Sequence, residues 1–136
     1  MNKIKIMVLV FTLFPHVCNA GDTRFGLGVG AQYGGIVGMQ LYQEVDNGIS
    51  RVAAGILGVS IGHDRYISSN ISLGAQLFYL TVAKGAGLNL NYHIGSREKE
   101  SLVIGVEVSS VKLMDGFMGV SAENEALVHI SAGFKF

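Results

Sequence analysis

The C-terminal stretch at residues 126–136, ALVHISAGFKF, decides the fold because its apolar residues recur at every second position. The apolar positions are Val128, Ile130, Ala132, Phe134 and Phe136, and the positions between them are His129, Ser131, Gly133 and Lys135. Successive side chains of a β-strand point to opposite faces. A period of two therefore predicts a strand with one apolar face and one face of small or polar groups.

The same period recurs along most of the chain. Alternation is clear at residues 24–33, 37–42, 71–79, 86–94 and 102–109, less regular at 51–67, and weak at 117–122. Turn signals separate several segments, namely Gly34-Gly35, Asp46-Asn47-Gly48, Ser68-Ser69-Asn70 and a charged loop at 95–100. Together with 126–136, these segments predict eight antiparallel strands and an all-β fold.

The N-terminus has the features of a secretory signal peptide. Lys3 and Lys5 precede an apolar core at residues 6–14 (IMVLVFTLF), and small residues lead up to Ala20. The apolar core is much shorter than the roughly 20 residues of a transmembrane helix. We therefore expect export of the chain and cleavage after Ala20.

This cleavage divides the chain into a signal peptide, residues 1–20, and one mature domain, residues 21–136. Cys18 leaves a lipoprotein open as an alternative, although residues 15–17 (PHV) are not the small residues that a lipoprotein signal requires. Without Lys3 and Lys5 the mature chain has eight basic residues against ten acidic ones, and it has no cysteine. This composition excludes disulfides in the mature domain and gives no basic stripe for nucleic acid.

The face opposite the apolar one distinguishes a membrane barrel from a soluble sheet. It carries mostly Gly, Ser, Asn, Gln and His, whereas a soluble sheet normally carries Lys, Glu and Thr there. Small polar groups suit the narrow lumen of an eight-stranded barrel. Aromatic residues near strand ends are typical of interfacial girdles, and here they are Phe25, Tyr33, Tyr79, Tyr92, Phe134 and Phe136. These features favour a closed transmembrane β-barrel, with a soluble secreted β-protein as the alternative.

Two segments resemble bacterial outer-membrane proteins. Residues 128–136 resemble the terminal strand signal of that class, which ends in Phe, and residues 65–75 (RYISSNISLGA) resemble the hairpins of small OmpA- and OmpX-type barrels. The resemblance implies insertion into the outer membrane of a Gram-negative cell by the β-barrel assembly machinery, with periplasmic chaperones and outer-membrane lipid as partners. The insertion signal would comprise Val128, Ile130, Ala132, Phe134 and Phe136. No particular activity follows from the fold.

The candidate site is a polar network inside the barrel. Buried polar groups must find hydrogen-bond partners, so we expect the inward polar residues to form a plug. Its predicted members are Arg24, Gln76, Asn89, Asn91, His93, Glu107, His129, Ser131 and Lys135, with Gln32, Gln40, Asp64 and Ser109 as further candidates.

Motifs for catalysis, nucleotides or metals are weak. His129-x-Ser131 resembles the His-x-Ser arrangement of outer-membrane lipid A deacylases, but Ala132 stands where those enzymes have Asn and no later acid follows. Residues 26–31 match a G-x-G-x-x-A dinucleotide pattern only by letters, since no strand precedes them. His63 with Asp64, and Glu98 with Glu100, lack a convincing set of metal ligands.

The sequence thus predicts a non-enzymatic protein without cofactors, with an envelope-structural or surface-interaction role. A narrow, porin-like pore for small solutes and a lipid-modifying enzyme are the alternatives. If both termini lie on one side of the membrane, the connections on the other side are Gly34-Gly35, 68–70, 95–100 and 123–125. All are short, whereas ligand or host recognition usually needs long exposed loops.

Overall fold

The chain forms one closed antiparallel β-barrel of eight strands. The computed structural model describes residues 23–45, 47–95, 100–114 and 124–136. The strands are β1 (Thr23–Gly30), β2 (Gly35–Val45), β3 (Gly48–Gly55), β4 (Gly58–Tyr66), β5 (Ile71–Leu80), β6 (Ala83–Gly95), β7 (Ser101–Leu113) and β8 (Asn124–Lys135), with a 3-10 helix at Ala31–Tyr33. Each strand pairs with its neighbours in sequence, and β8 closes the ring on β1. The predicted all-β, eight-stranded closed barrel is confirmed.

The register of the pairs defines the stagger of the barrel. Asn124 on β8 is paired with a residue of β7, which is paired with a residue of β6, and so on down to β1. The residue reached on β1 is paired with Phe134 on β8, so one turn around the barrel shifts the register by ten residues. A stagger of this size tilts eight strands by roughly 40° to the axis, and it leaves an interior that side chains can fill.

The distribution of apolar residues is the reverse of that in a soluble domain. Among the described residues, 26 large apolar side chains are exposed, whereas nine apolar residues are buried. β7 shows the alternation most clearly, because Val106 and Val108 are exposed while the neighbouring Glu107 and Ser109 are buried. The outer surface therefore carries an apolar belt, and buried polar side chains occupy the inside of the barrel.

The eight strands divide the sequence differently from the prediction. The sequence predicts one strand at 51–67, but this segment contributes to two, β3 and β4, with a turn at Ile56 and Leu57 between them. The turn was missed because it carries two apolar residues instead of a turn signal, and Ile56 is 74% exposed. The strand predicted at 117–122 lies outside the described residues, and the barrel closes on β7 and β8 without it.

This extra turn reverses the direction of β5, β6 and β7 relative to the predicted order, whereas the segment at 126–136 remains the eighth strand. We call the end of the barrel where β1 begins and β8 ends the terminal end, and the opposite end the distal end. The turns after β1, β3 and β5 lie at the distal end. The connections at 68–70 and 95–100 were expected away from the termini, and that expectation is wrong, because they follow β4 and β6 at the terminal end.

The segment at 24–33 does not continue as one strand. β1 ends at Gly30, and the 3-10 helix turns into the barrel, so that Tyr33 is 1% exposed instead of lying in an outer girdle. Glycines make room for its ring. A methyl group added at Gly28 would lie 2.6 Å from the ring, and one at Gly133 would overlap the Tyr33 hydroxyl.

The other predicted girdle aromatics lie on the outer surface. They are Phe25, Tyr79, Tyr92, Phe134 and Phe136, with exposed fractions from 37% to 53%. The predicted signal peptide, residues 1–20, lies outside the described residues. No helix in the described part of the chain is long and apolar enough to cross a membrane.

Candidate functional site in the barrel interior

Polar side chains fill the middle of the barrel. They come from the inward positions of the strands and from the 3-10 helix, and they connect strands that are distant in sequence. The buried polar residues are Gln32, Gln40, Gln43, Arg51, Ser60, Asp64, Ser72, Gln76, Asn89, Asn91, His93, Ser101, Glu107, Ser109, Ser131 and Lys135. Such groups are stable away from water only when they are hydrogen-bonded, so their partners define the site.

Arg51 on β3 is at the centre of this network. Its guanidinium donates 2.6 Å to Gln32 Oε1, 3.0 Å to Asp64 Oδ1 and 2.9 Å to Asn89 Oδ1. One side chain thereby links the 3-10 helix to β3, β4 and β6. Because Arg51 is only 4% exposed, its charge depends on these partners for stabilisation.

Asp64 on β4 balances this charge. Besides Arg51, its carboxylate accepts hydrogen bonds from Asn89 Nδ2 at 2.9 Å and from Asn91 Nδ2 at 3.1 Å. The neighbouring strand leaves space for the carboxylate, since a methyl group at Gly74 would overlap Asp64 Oδ1. The ion pair is therefore enclosed and hydrogen-bonded on both sides.

Gln32 extends the network to β6 and β8. Its Nε2 donates to Ser131 Oγ on β8 and, at 3.4 Å, to Asn91 Oδ1 on β6. Its backbone carbonyl accepts a hydrogen bond of 2.7 Å from Ser60 on β4. A methyl group at Gly105 would lie 2.5 Å from Ser131 Oγ, so this position on β7 has to be small.

A second cluster surrounds Glu107 on β7. This side chain is completely buried, and its Oε2 lies 2.8 Å from Gln76 Nε2 and 2.7 Å from His129 Nε2. The His129 side chain is 27% exposed, so the buried Glu107 carboxylate has one hydrogen-bond partner that is itself accessible. Glu107 Oε1, Gln76 Oε1 and Ser109 Oγ have no partner among the described residues. This part of the interior has unused hydrogen-bonding capacity.

His129 and Glu107 can position each other, but Ser131 belongs to a different hydrogen-bonded group. Its hydroxyl is the acceptor for Gln32, and it forms no hydrogen bond with His129 in the described structure. A nucleophile needs its base within hydrogen-bond reach. In the described structure Ser131 is therefore hydrogen-bonded to Gln32, and His129 to Glu107.

Seven of the predicted network residues are buried. They are Gln76, Asn89, Asn91, His93, Glu107, Ser131 and Lys135, whereas Arg24 and His129 are half-buried. Three predicted network residues, His93, Lys135 and Arg24, lie apart from the two clusters, towards the terminal end. His93 Nε2 lies 2.9 Å from Ser72 Oγ, the Lys135 ammonium group lies 4.6 Å from the centre of the Tyr42 ring, and Arg24 is the register partner of Tyr42.

Among the buried charged residues that the structure describes, Arg51 is the one that the sequence pattern did not predict as a member of the network. It lies in the irregular segment at 51–67, where the turn between β3 and β4 interrupts the alternation. Once that segment is divided at Ile56-Leu57, Arg51 and Asp64 both take inward positions, and a pair of opposite charges inside a barrel would have been expected. The signal was present, but it depended on finding the turn.

The predicted insertion signal occupies the outer face of β8. Val128 and Ile130 are 71% and 72% exposed, and Phe136 is 50% exposed. The end of the chain is held by the neighbouring strands, since Phe136 N–H donates to the Phe25 carbonyl at 2.9 Å and the Tyr42 hydroxyl donates to the Phe136 carbonyl at 3.2 Å.

The chemistry of the interior is that of a hydrogen-bonded plug. No group of three or more His, Cys, Asp or Glu side chains within the described ranges is arranged to hold a metal ion. Comparison of the chain with protein-family models, curated proteins and solved structures finds no match in any of the three. The resemblance to OmpA- and OmpX-type barrels remains a prediction.

Proposed function

We propose that this chain is a non-enzymatic β-barrel protein of a bacterial outer membrane, with a structural role in the cell envelope. The observation that carries the proposal is the inverted distribution of side chains, an apolar belt outside and a hydrogen-bonded polar interior. In water such a belt would be an aggregation hazard, but in a bilayer it meets hydrocarbon. The closed ring of strands leaves no unpaired edge around the belt where β1 meets β8.

The filled interior supports a structural role over transport. Gln32, Tyr33 and Arg51 occupy the middle of the barrel, and each is at most 4% exposed. Their hydrogen bonds tie opposite walls together, which makes the barrel stiff and leaves little room for a solute. In this proposal outer-membrane lipid surrounds the folded barrel, and the assembly machinery and periplasmic chaperones handle the chain before insertion.

Expression of the full chain in a Gram-negative host tests the location. We expect the protein in the outer-membrane fraction after separation of the two membranes, resistant to extraction by alkaline carbonate, with its N-terminus at residue 21. Recovery in the soluble periplasmic fraction would contradict the proposal and favour the soluble β-protein.

Conductance distinguishes the structural role from a narrow pore. We expect the refolded mature chain to give no stable single-channel steps in planar bilayers, because the network around Arg51 fills the lumen. Regular conductance steps of the wild-type protein would overturn the structural role while leaving the membrane location intact.

A further inference from the structure

Two lysines face each other on the outer surface near the distal end. Lys84 on β6 and Lys112 on β7 are register partners, and both are exposed. Like charges directly opposite each other destabilise a sheet. Neither lysine forms an ion pair with a carboxylate in the part of the chain that the structure describes. The pair is thus a local positive charge without a counter-charge from those residues.

Further hydrogen-bond donors continue this row on both sides. Tyr79 on β5 is the register partner of Lys84, and Asn124 on β8 is the register partner of Lys112. Tyr79 is 53% exposed. One hydrogen-bonded row across four strands therefore presents a phenol, two ammonium groups and an amide on the same outer face.

The next row towards the terminal end consists of small residues. Ala86, Ser110 and Ala126 are register partners across β6, β7 and β8, and the row beyond them carries the large residues Leu88 and Val108. At the row of the lysine pair and this row of small residues, the outer surface has a shallow, open groove of ≈ 390 Å³. Leu77, Tyr79, Lys84, Ala86, Ser110 and Lys112 are among its lining residues.

We propose that this groove binds an anionic lipid with a phosphate ester headgroup. The phosphate lies between the ammonium groups of Lys84 and Lys112, and an acyl chain runs from the groove along Leu77 and Ala86 to the belt. The charge of a phosphate removes the repulsion between the lysines, and lysine is an effective phosphate ligand. The inference rests on the proposed function, because it needs the belt to be in a bilayer.

The membrane location and the lipid site can be tested separately. The refolded mature chain is first incorporated into phosphatidylcholine vesicles, and flotation of the protein with these neutral vesicles tests the proposed function alone. The same preparation is then made with vesicles that also contain diphosphoryl lipid A. Native mass spectrometry of the protein released in neutral detergent measures the lipid that remains bound. We expect lipid A, and not phosphatidylcholine, to be retained.

The double variant Lys84→Gln/Lys112→Gln tests the headgroup contact. Each lysine near a membrane surface contributes about 1 kcal/mol to binding of anionic lipid, so we expect affinity for lipid A to fall about thirtyfold, or about 2 kcal/mol. The charge-preserving variant Lys84→Arg/Lys112→Arg should retain most of the affinity. Arg65→Gln, which removes an exposed basic side chain of β4, should bind lipid A as the wild type does.

Two further outcomes separate a lipid from a free phosphate. Ala86→Leu fills the groove without changing the charge, and we expect it to weaken lipid A binding while the variant still floats with neutral vesicles. Inorganic phosphate should compete poorly. Equal binding by wild type and the double glutamine variant would overturn the proposal. Full competition by inorganic phosphate, with no effect of Ala86→Leu, would also overturn it and leave a simple anion site.

Discussion

The Arg51 guanidinium lies 3.0 Å from the Asp64 carboxylate across β3 and β4, with the two side chains only 4% and 3% exposed. This buried pair is connected through Gln32 to Ser131 on β8 and through Asn91 to β6. Because the pair is held by neutral amides on several sides, removal of either charge leaves the other one uncompensated.

We expect Arg51→Met to destabilise the folded barrel by about 3–5 kcal/mol, since Asp64 then remains as a buried, unpaired charge. The double variant Arg51→Met/Asp64→Leu should lose much less than the sum of the single losses. Urea unfolding of Arg51→Met, Asp64→Leu, the double variant and the wild type, all refolded in vesicles, gives the coupling free energy. Additive losses would show that the pair is not coupled.

Gly74→Ala tests the steric basis of the network. The added methyl group overlaps Asp64 Oδ1, so the carboxylate must move away from Arg51 or from the asparagines. Strain of this kind typically costs about 1–3 kcal/mol. Ala75→Gly, at the exposed neighbouring position of β5, is the matched control and should change stability by less than about 1 kcal/mol. Equal effects of the two changes in urea unfolding would mean that the interior is not tightly packed.

Tyr33→Ala tests whether the 3-10 helix plugs the barrel. Tyr33 is 1% exposed and packs over Gly28 and Gly133, so its removal leaves a cavity in the interior. Loss of a buried aromatic side chain costs about 3–5 kcal/mol. Tyr79→Ala removes an equally large side chain from the outer surface and should have a much smaller effect in detergent micelles. If only Tyr79→Ala lowered the stability, Tyr33 and the 3-10 helix would not be what fills the interior of the barrel.

Lysine scanning of β7 tests the depth of the belt. We expect Val106→Lys, in the middle of the belt, to lower the stability of the barrel in a bilayer by about 2–4 kcal/mol, because the charge would be near the bilayer midplane. Ser110→Lys, next to the row of Lys84 and Lys112, should cost about 0–1 kcal/mol, as at an interface. Both side chains are on the outer face. An equal loss of stability in the two variants would contradict the claim that Val106 lies deeper in the bilayer than Ser110.

Period two was sufficient to predict the strands with clear alternation. β5, β6, β7 and β8 overlap the segments at 71–79, 86–94, 102–109 and 126–136. The prediction succeeds because each strand has an apolar face outside and a small or polar face inside. A strand with two buried faces would be apolar at every position and would show no alternation.

Three features depended on information that is not local in the sequence. The turn at Ile56-Leu57 lacks turn residues and is held instead by contacts with other strands, since Ile56 N–H donates to the Val37 carbonyl at 3.0 Å. The inward path of Tyr33 depends on Gly133, which β8 supplies from the opposite end of the chain, as well as on Gly28 of β1. Arg51 could be placed only after the turn was known. Local alternation cannot reveal these contacts, because each joins segments that only the closed barrel brings together.

Tryptophan fluorescence in bilayers tests the central claim, that the apolar face meets lipid. The chain has no native tryptophan, so Val106→Trp gives a single reporter in the middle of the belt. We expect strong quenching by lipids brominated along their acyl chains and little quenching by aqueous acrylamide, with the reverse order for Lys112→Trp beyond the belt. Acrylamide quenching of Val106→Trp without any effect of brominated lipid would show that the apolar face is not in the membrane.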